Sequence, residues 1–202
     1  MRYARPYQKD YRRPDNAEDT FKKNLDETEI GDDVIGFIDE MGVEANANTA
    51  RLWSFGKPVK RVATYVKARV AGFYSLNGES LIEFPESNKT EDFILRRIRE
   101  ANEKRIVVIL GNFRAHHAKK VREEAEKLNI SLVYLPPYSP DLNPIENVWK
   151  SVKSAVSERS PLNVGELKEV IAEIFKKLTE SISFAKRWIE KFLGDKFKML
   201  CS

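Results

Sequence analysis

Three places in this 202-residue sequence could bring acidic oxygens together, and two of them carry an acid. Asp39 closes the compact apolar run Val34-Ile35-Gly36-Phe37-Ile38, a pattern that suits a buried strand. Glu146 follows Asn143-Pro144-Ile145, where a helix is expected to start after a Pro-rich loop. Between them, the β-branched run Ile106-Val107-Val108-Ile109-Leu110 ends at Gly111-Asn112. If the strands ending at Asp39 and Leu110 are parallel neighbours, their ends meet, and ligands collect at such ends. A carboxylate from each place would hold two divalent cations about 3.5–4 Å apart, clamping both oxygens of an in-line phosphoryl displacement. Hard oxygen ligands suit Mg²⁺ or Mn²⁺, and no Cys or His is needed.

Each candidate also has a plainer reading. Asp39 alone is an ordinary strand-end acid. Asn143-Pro144-Ile145-Glu146 has the spacing of a capping box, with Asn at N-cap, Pro at N1 and Glu at N3. Trp149 lies three residues beyond Glu146 and reads as core, and Trp53 as packing beneath the site. His116 and His117 are adjacent on a turn, where two imidazoles rarely face one ion, so surface or cap positions are the plain reading. Lys57, Lys60, Arg61, Lys67 and Arg69 cluster around Tyr65 and could track a DNA backbone by charge neutralisation. A solvated charged face is the plain alternative.

The elements that must position these residues can be laid out from periodicity. After the strand ending at Asp39, a second is expected over 49–55. Asn77-Gly78, between β-rich stretches 70–76 and 81–84, predicts a hairpin with a type I′ turn. A helix over 90–103 precedes the 106–110 strand, whose continuous apolar run marks burial on both faces. A helix over 118–128 and a strand over 130–135 follow, the strand stopping at Pro136-Pro137. Helices are then expected over 144–156 and along the stripe Leu167, Val170, Ile171, Ile174, Phe175, Leu178, which Asn163 and Glu166 would cap reciprocally. A last helix carries Phe184, Trp188, Ile189 and Phe192. Residues 1–30 read as a basic arm (Arg2, Arg5, Lys9, Arg12, Arg13) leading into a short helix over 17–25. The class is α/β: a mixed five-stranded sheet with helices on both faces.

Composition fits a globular protein, with 42% hydrophobic and 33% charged residues and no apolar run near the roughly 18 residues of a membrane span. The charged N-terminal residues argue against a secretory signal and for a cytoplasmic location. Cys201, the single cysteine, excludes an internal disulfide. A net charge of +4 is compatible with nucleic acid without demanding it.

Three stretches carry a family resemblance: Phe37-Ile38-Asp39-Glu40; Leu110-Gly111-Asn112-Phe113-Arg114-Ala115-His116; and Leu135-Pro136-Pro137-Tyr138-Ser139-Pro140-Asp141-Leu142-Asn143-Pro144-Ile145-Glu146-Asn147-Val148-Trp149. Together they resemble mariner-like transposases of the bacterial and archaeal insertion-sequence branch, and the order of elements matches the ribonuclease H-like fold. The resemblance implies a DDE endonuclease catalytic domain that binds Mg²⁺ or Mn²⁺, cleaves double-stranded DNA at transposon ends and joins it to target DNA. A homodimer is compatible with it; a membrane partner is not expected. It maps the first acid onto Asp39 and the third onto Glu146. The second falls on Gly111, and the 34 residues between Gly111 and Glu146 match the family pattern. Glycine cannot ligate a metal, so impaired catalysis is expected. Neither neighbouring polar residue compensates: Asn112 and Glu40 face away by strand alternation. The expected organisation is a basic linker over 1–30, a catalytic domain over 31–160 and C-terminal helices packing on it over 161–202. The family's N-terminal helix-turn-helix reader has no counterpart in residues 1–30, so a decayed element or gene fragment is expected. Two alternatives stand beside this reading: a non-catalytic DNA-binding or oligomerisation module of transposase descent, and a ribonuclease H-like structure-specific nuclease.

Overall fold

The computed structural model describes residues 10–45, 53, 55–56, 65–85, 90–111, 119–194 and 197. Its centre is β4 (Ile106–Leu110), all five residues of which are buried. β4 runs parallel to β1 (Val34–Glu44) on one side and to β5 (Ile130–Tyr134) on the other. β1 pairs antiparallel with β2 (Lys67–Ser75), and β2 with β3 (Leu81–Glu83). The sheet order is therefore β3-β2-β1-β4-β5.

Strand alternation divides the core into two layers. Ile35, Phe37, Val107 and Ile109 face one side, where α4 (Ile145–Arg159), α5 (Val164–Thr179), α6 (Lys186–Phe192) and α1 (Ala17–Glu27) pack. Val34, Ile38, Val108 and Leu110 face the other, against α2 (Thr90–Ala101) and α3 (Lys119–Lys127). The expected helices are present, with ends shifted by a few residues. At the start of α5, Asn163 Oδ1 accepts from the Glu166 N–H at 2.9 Å, and Glu166 accepts from Leu162 rather than from Asn163. Among the described residues, no helix is long and apolar enough to cross a membrane.

Two expectations change. β1 runs on past Asp39 and pairs directly with β2; the strand expected over 49–55 lies almost wholly outside the described residues. The β2–β3 hairpin exists, but neither Asn77 nor Gly78 has positive φ, so its turn is not type I′. Asn77 serves a longer-range purpose: its side chain accepts from the Ile35 N–H at 2.9 Å and donates to the Asp33 carbonyl at 2.8 Å, fastening the loop to the start of β1. Gly78 is needed for close approach, because a Cβ there would lie 2.4 Å from Asn102 Oδ1 and 2.6 Å from Val34 Cγ1.

α1, within the segment read as an arm, buries Phe21 and Leu25 in the core. Phe21 packs edge-on to Phe192 at 5.0 Å and against Trp188 at 5.9 Å, joining α1 to α6. Phe21→Ala is expected to destabilise the domain by ~3–5 kcal/mol, the range for truncating a buried aromatic. Tyr11→Ala, at a position 91% exposed, should cost under ~0.5 kcal/mol. Urea denaturation of the two variants against the parent checks both.

Candidate active site

The β1–β4 register decides where the expected acids lie. Ile38 is paired with Leu110, so Asp39, within β1, and Gly111, just past the end of β4, follow side by side. Alternation turns Asp39, like Ile35 and Phe37, toward the α4–α5 side; position 111, like Val107 and Ile109, is turned the same way. α4 crosses this side with Glu146 in its first turn. Trp149, three residues on and hence on the same helix face, donates its indole N–H to Asp39 Oδ2 at 3.1 Å.

The indole has a prepared seat. Gly72 is the β2 partner of Asp39, and a Cβ there would fall 2.5 Å from Trp149 Cη2. Phe175 of α5 holds the other side of the ring, with centroids 5.1 Å apart. Trp149 is core, as its apolar spacing suggests, and it also orients a site carboxylate. The three-residue step from Glu146 was the available signal for that second role.

The negative charges of Asp39 and Glu146 act on each other across the site. Burial pushes the Asp39 carboxyl up to about 7, with the negative charge of Glu146 adding to the rise; hydrogen bonds from the Glu40 backbone and Trp149 oppose it. The capping alternative for Glu146 is not realised. Its backbone N–H bonds to the Asn143 carbonyl at 3.1 Å, and the buried Asn143 Oδ1 has no hydrogen-bond partner. The helix starts at Ile145, one residue too late for a capping box built on Asn143.

At Gly111, where the resemblance places the second acid, no described side chain stands in for a carboxylate. A Cβ on Gly111 would meet no heavy atom of the described residues within 4 Å. Among the described residues there is no group of three or more His, Cys, Asp or Glu side chains that could hold a metal ion. The donor type suits a hard divalent cation, but among the described residues the donor number falls short of what a metal pair requires. Asp141 is engaged elsewhere, 3.0 Å from Arg13. Asn112, His116, His117, Lys57, Lys60 and Arg61 lie outside the described residues. Lys67 and Arg69 project from the sheet face opposite Asp39, and Lys67 pairs with Glu44 at 2.6 Å. Trp53 is fully exposed, so packing beneath the site is not its role.

Against this geometry, a family model described as DDE superfamily endonuclease matches residues 34–168. The chain belongs to that family. The DDE domain has the fold of the Mos1 mariner transposase catalytic domain, which is the ribonuclease H-like sheet expected from the order of elements. The crystal structure of the mariner Mos1 paired end complex with Mg aligns with a TM-score of 0.64 at 17% identity, covering 100% of this chain and 66% of that one. The Mos1 transposase catalytic domain solved with Raltegravir and Mn aligns at 0.61 and 18% identity, covering 97% and 96%. The chain thus spans just under two thirds of the Mos1 protein in the paired end complex. A 25-residue stretch is 60% identical to the uncharacterized protein y4pE/y4sA of Sinorhizobium fredii (strain NBRC 101917 / NGR234), covering 12% of this chain and 18% of that protein.

The raised Asp39 value has a consequence for stability. Because the folded state holds this proton up to about pH 7 while the unfolded chain releases it near 3.8, the associated stability is complete below about pH 4 and is lost as pH rises through 7. The full shift would amount to ~4 kcal/mol; water reaching the half-buried carboxyl reduces this to roughly 2. Asp39→Asn is therefore expected to be more stable than the parent at pH 8 and nearly equal at pH 4 in metal-free buffer. Guanidinium denaturation at both pH values measures the difference.

Proposed function

We propose that this chain is the catalytic domain of a transposase-type DDE endonuclease acting on double-stranded DNA, with Asp39 and Glu146 as its remaining metal ligands and its cleavage activity impaired at Gly111. The observation that carries this reading is the empty volume at position 111, beside Asp39 and on the side that α4 covers. A carboxylate there would complete the set that holds two Mg²⁺ or Mn²⁺ ions, whose chemistry is to orient and neutralise the oxygens of a phosphodiester under in-line attack. As it stands the set lacks one oxygen donor and one negative charge.

The chain's own residues supply the rest. Trp149 fixes the Asp39 carboxylate through its indole N–H, and Gly72 and Phe175 fix Trp149. The mutual repulsion of Asp39 and Glu146 is what a bound dication would relieve, and this favours a cation-binding role over two incidental surface acids. The paired end complex of Mos1 with Mg supports DNA and a divalent ion as the partners of the same fold. Lys57, Lys60, Arg61, Lys67 and Arg69 are proposed as peripheral phosphate contacts. Lys67 and Arg69, on the face opposite Asp39, would touch DNA away from the scissile bond.

Nicking of supercoiled plasmid in Mn²⁺ tests the assignment, because it needs no specific end sequence. Gly111→Asp is expected to nick at least ~100-fold faster than the unaltered chain, the scale of one positioned electrostatic group. Adding Glu146→Gln should abolish the gain. Equal nicking by the unaltered chain would mean that another group supplies the second ligand. DNA binding without nicking by any of the three would favour a non-catalytic binding module.

A further inference from the structure

The segment before α1 reaches the loop that launches the Glu146 helix. Arg13, 126 residues from its partner in sequence, donates its Nε–H to Ser139 Oγ at 3.2 Å. Its Nη2 lies 3.0 Å from Asp141 Oδ2 and 3.8 Å from Glu18 Oε1, contacts that are ion pairs rather than aligned hydrogen bonds. The Arg13 side chain is only 6% exposed, so these contacts are made largely out of water. Ser139 is itself buried, and its hydroxyl donates a hydrogen bond to the Pro137 carbonyl at 3.1 Å. Next to it, the Arg12 guanidinium lies 3.9 Å from the centre of the Tyr138 ring while its other side is taken by Asp10.

The loop held in this way stores strain. Tyr138 adopts φ of 55°, a left-handed conformation unfavourable for an aromatic residue. From it the chain makes the short helical turn Pro140–Leu142, buries Leu142 and Asn143, and enters α4 at Ile145. A strained turn four residues before the buried Leu142 needs something to select it, and the two arginines grip it at the strained residue and just after it.

We infer that Arg13 is a positioning residue: by pinning Ser139 and Asp141 it fixes the loop that aims Glu146 and Trp149 at Asp39. Arg12 supports it by stacking on Tyr138. The inference rests on Asp39 and Glu146 forming the active site, and it assigns the basic residues at 12 and 13 to the protein's own loop rather than to DNA.

The chain's three tryptophans provide the test. The indole N–H resonance of Trp149, identified by its loss in Trp149→Phe, reports the bond to Asp39; that of Trp188 reports α1 docking through Phe21; that of Trp53 is an exposed reference. In the isotope-labelled full chain, Arg13→Gln should move the Trp149 resonance toward its position in Asp39→Ala and leave Trp188 and Trp53 in place. Arg13→Lys, which keeps charge near Asp141 but loses the Nε–H bond to Ser139, should fall between. In the Gly111→Asp chain, Arg13→Gln should slow plasmid nicking ~10-fold or more, as misaligned reacting groups do. An unmoved Trp149 resonance overturns the inference. So does a joint shift of Trp149 and Trp188, which would mark general loss of α1 packing. If Gly111→Asp itself fails to nick, the proposed activity falls, and the Trp149 resonance alone decides the role of Arg13. If Arg13→Gln does not fold, Arg13→Lys and Asp141→Asn are read by the same two resonances.

Discussion

The contact between Trp149 and the Asp39–Gly72 pair is the joint on which the site turns. A helix lying over a sheet is free to slide along it unless a side chain keys into the strands. Here the key is an indole, and the slot is made by the lack of a side chain on Gly72. The same ring is gripped by Phe175 and donates a hydrogen bond to Asp39, so packing and polarity fix it in one pose. Glu146 is one helical turn earlier on α4. Its distance from Asp39 is thus set by a contact in which the Glu146 carboxylate takes no part.

The two acids themselves gain nothing from their proximity. Burial and repulsion raise the Asp39 carboxyl, a cost that a free-standing hairpin could not carry. The domain carries it because the strands beneath are anchored elsewhere: β4 is buried along its whole length, and β1 is held at its start by Asn77 and by the ion pair of Asp33 with Arg105 at 2.6 Å. Functional sites commonly concentrate such local cost where the surrounding fold over-determines the geometry. The left-handed Tyr138, stacked on by Arg12 and followed by the Arg13 contacts, is a second instance in the loop that leads into α4.

Much of this was legible in the sequence, and the boundary of legibility follows sequence separation. The continuous run at 106–110, the stripe on α5 and the convergence of Asp39 with Glu146 were readable because each rests on local periodicity plus one topological step. Gly111 stood out because the family resemblance maps an acid onto that position. Trp149 was read as core alone, since its second partner, Asp39, is 110 residues away. Asn77 was assigned to a turn because Asn-Gly favours one locally; its side chain is instead spent on a strand 42 residues earlier. Arg13 looked like part of a charged arm, and only the fold brings Ser139 and Asp141 to it. Short polar side chains with distant partners leave no periodic trace.

The open space beside Gly111 also has a genetic meaning. No neighbour among the described residues occupies it, so none of them need change before a larger side chain can return. Every glycine codon becomes an aspartate or glutamate codon by substitution of its middle base alone. An acidic residue at that position is therefore a single nucleotide away, and the described scaffold beside it has room for one.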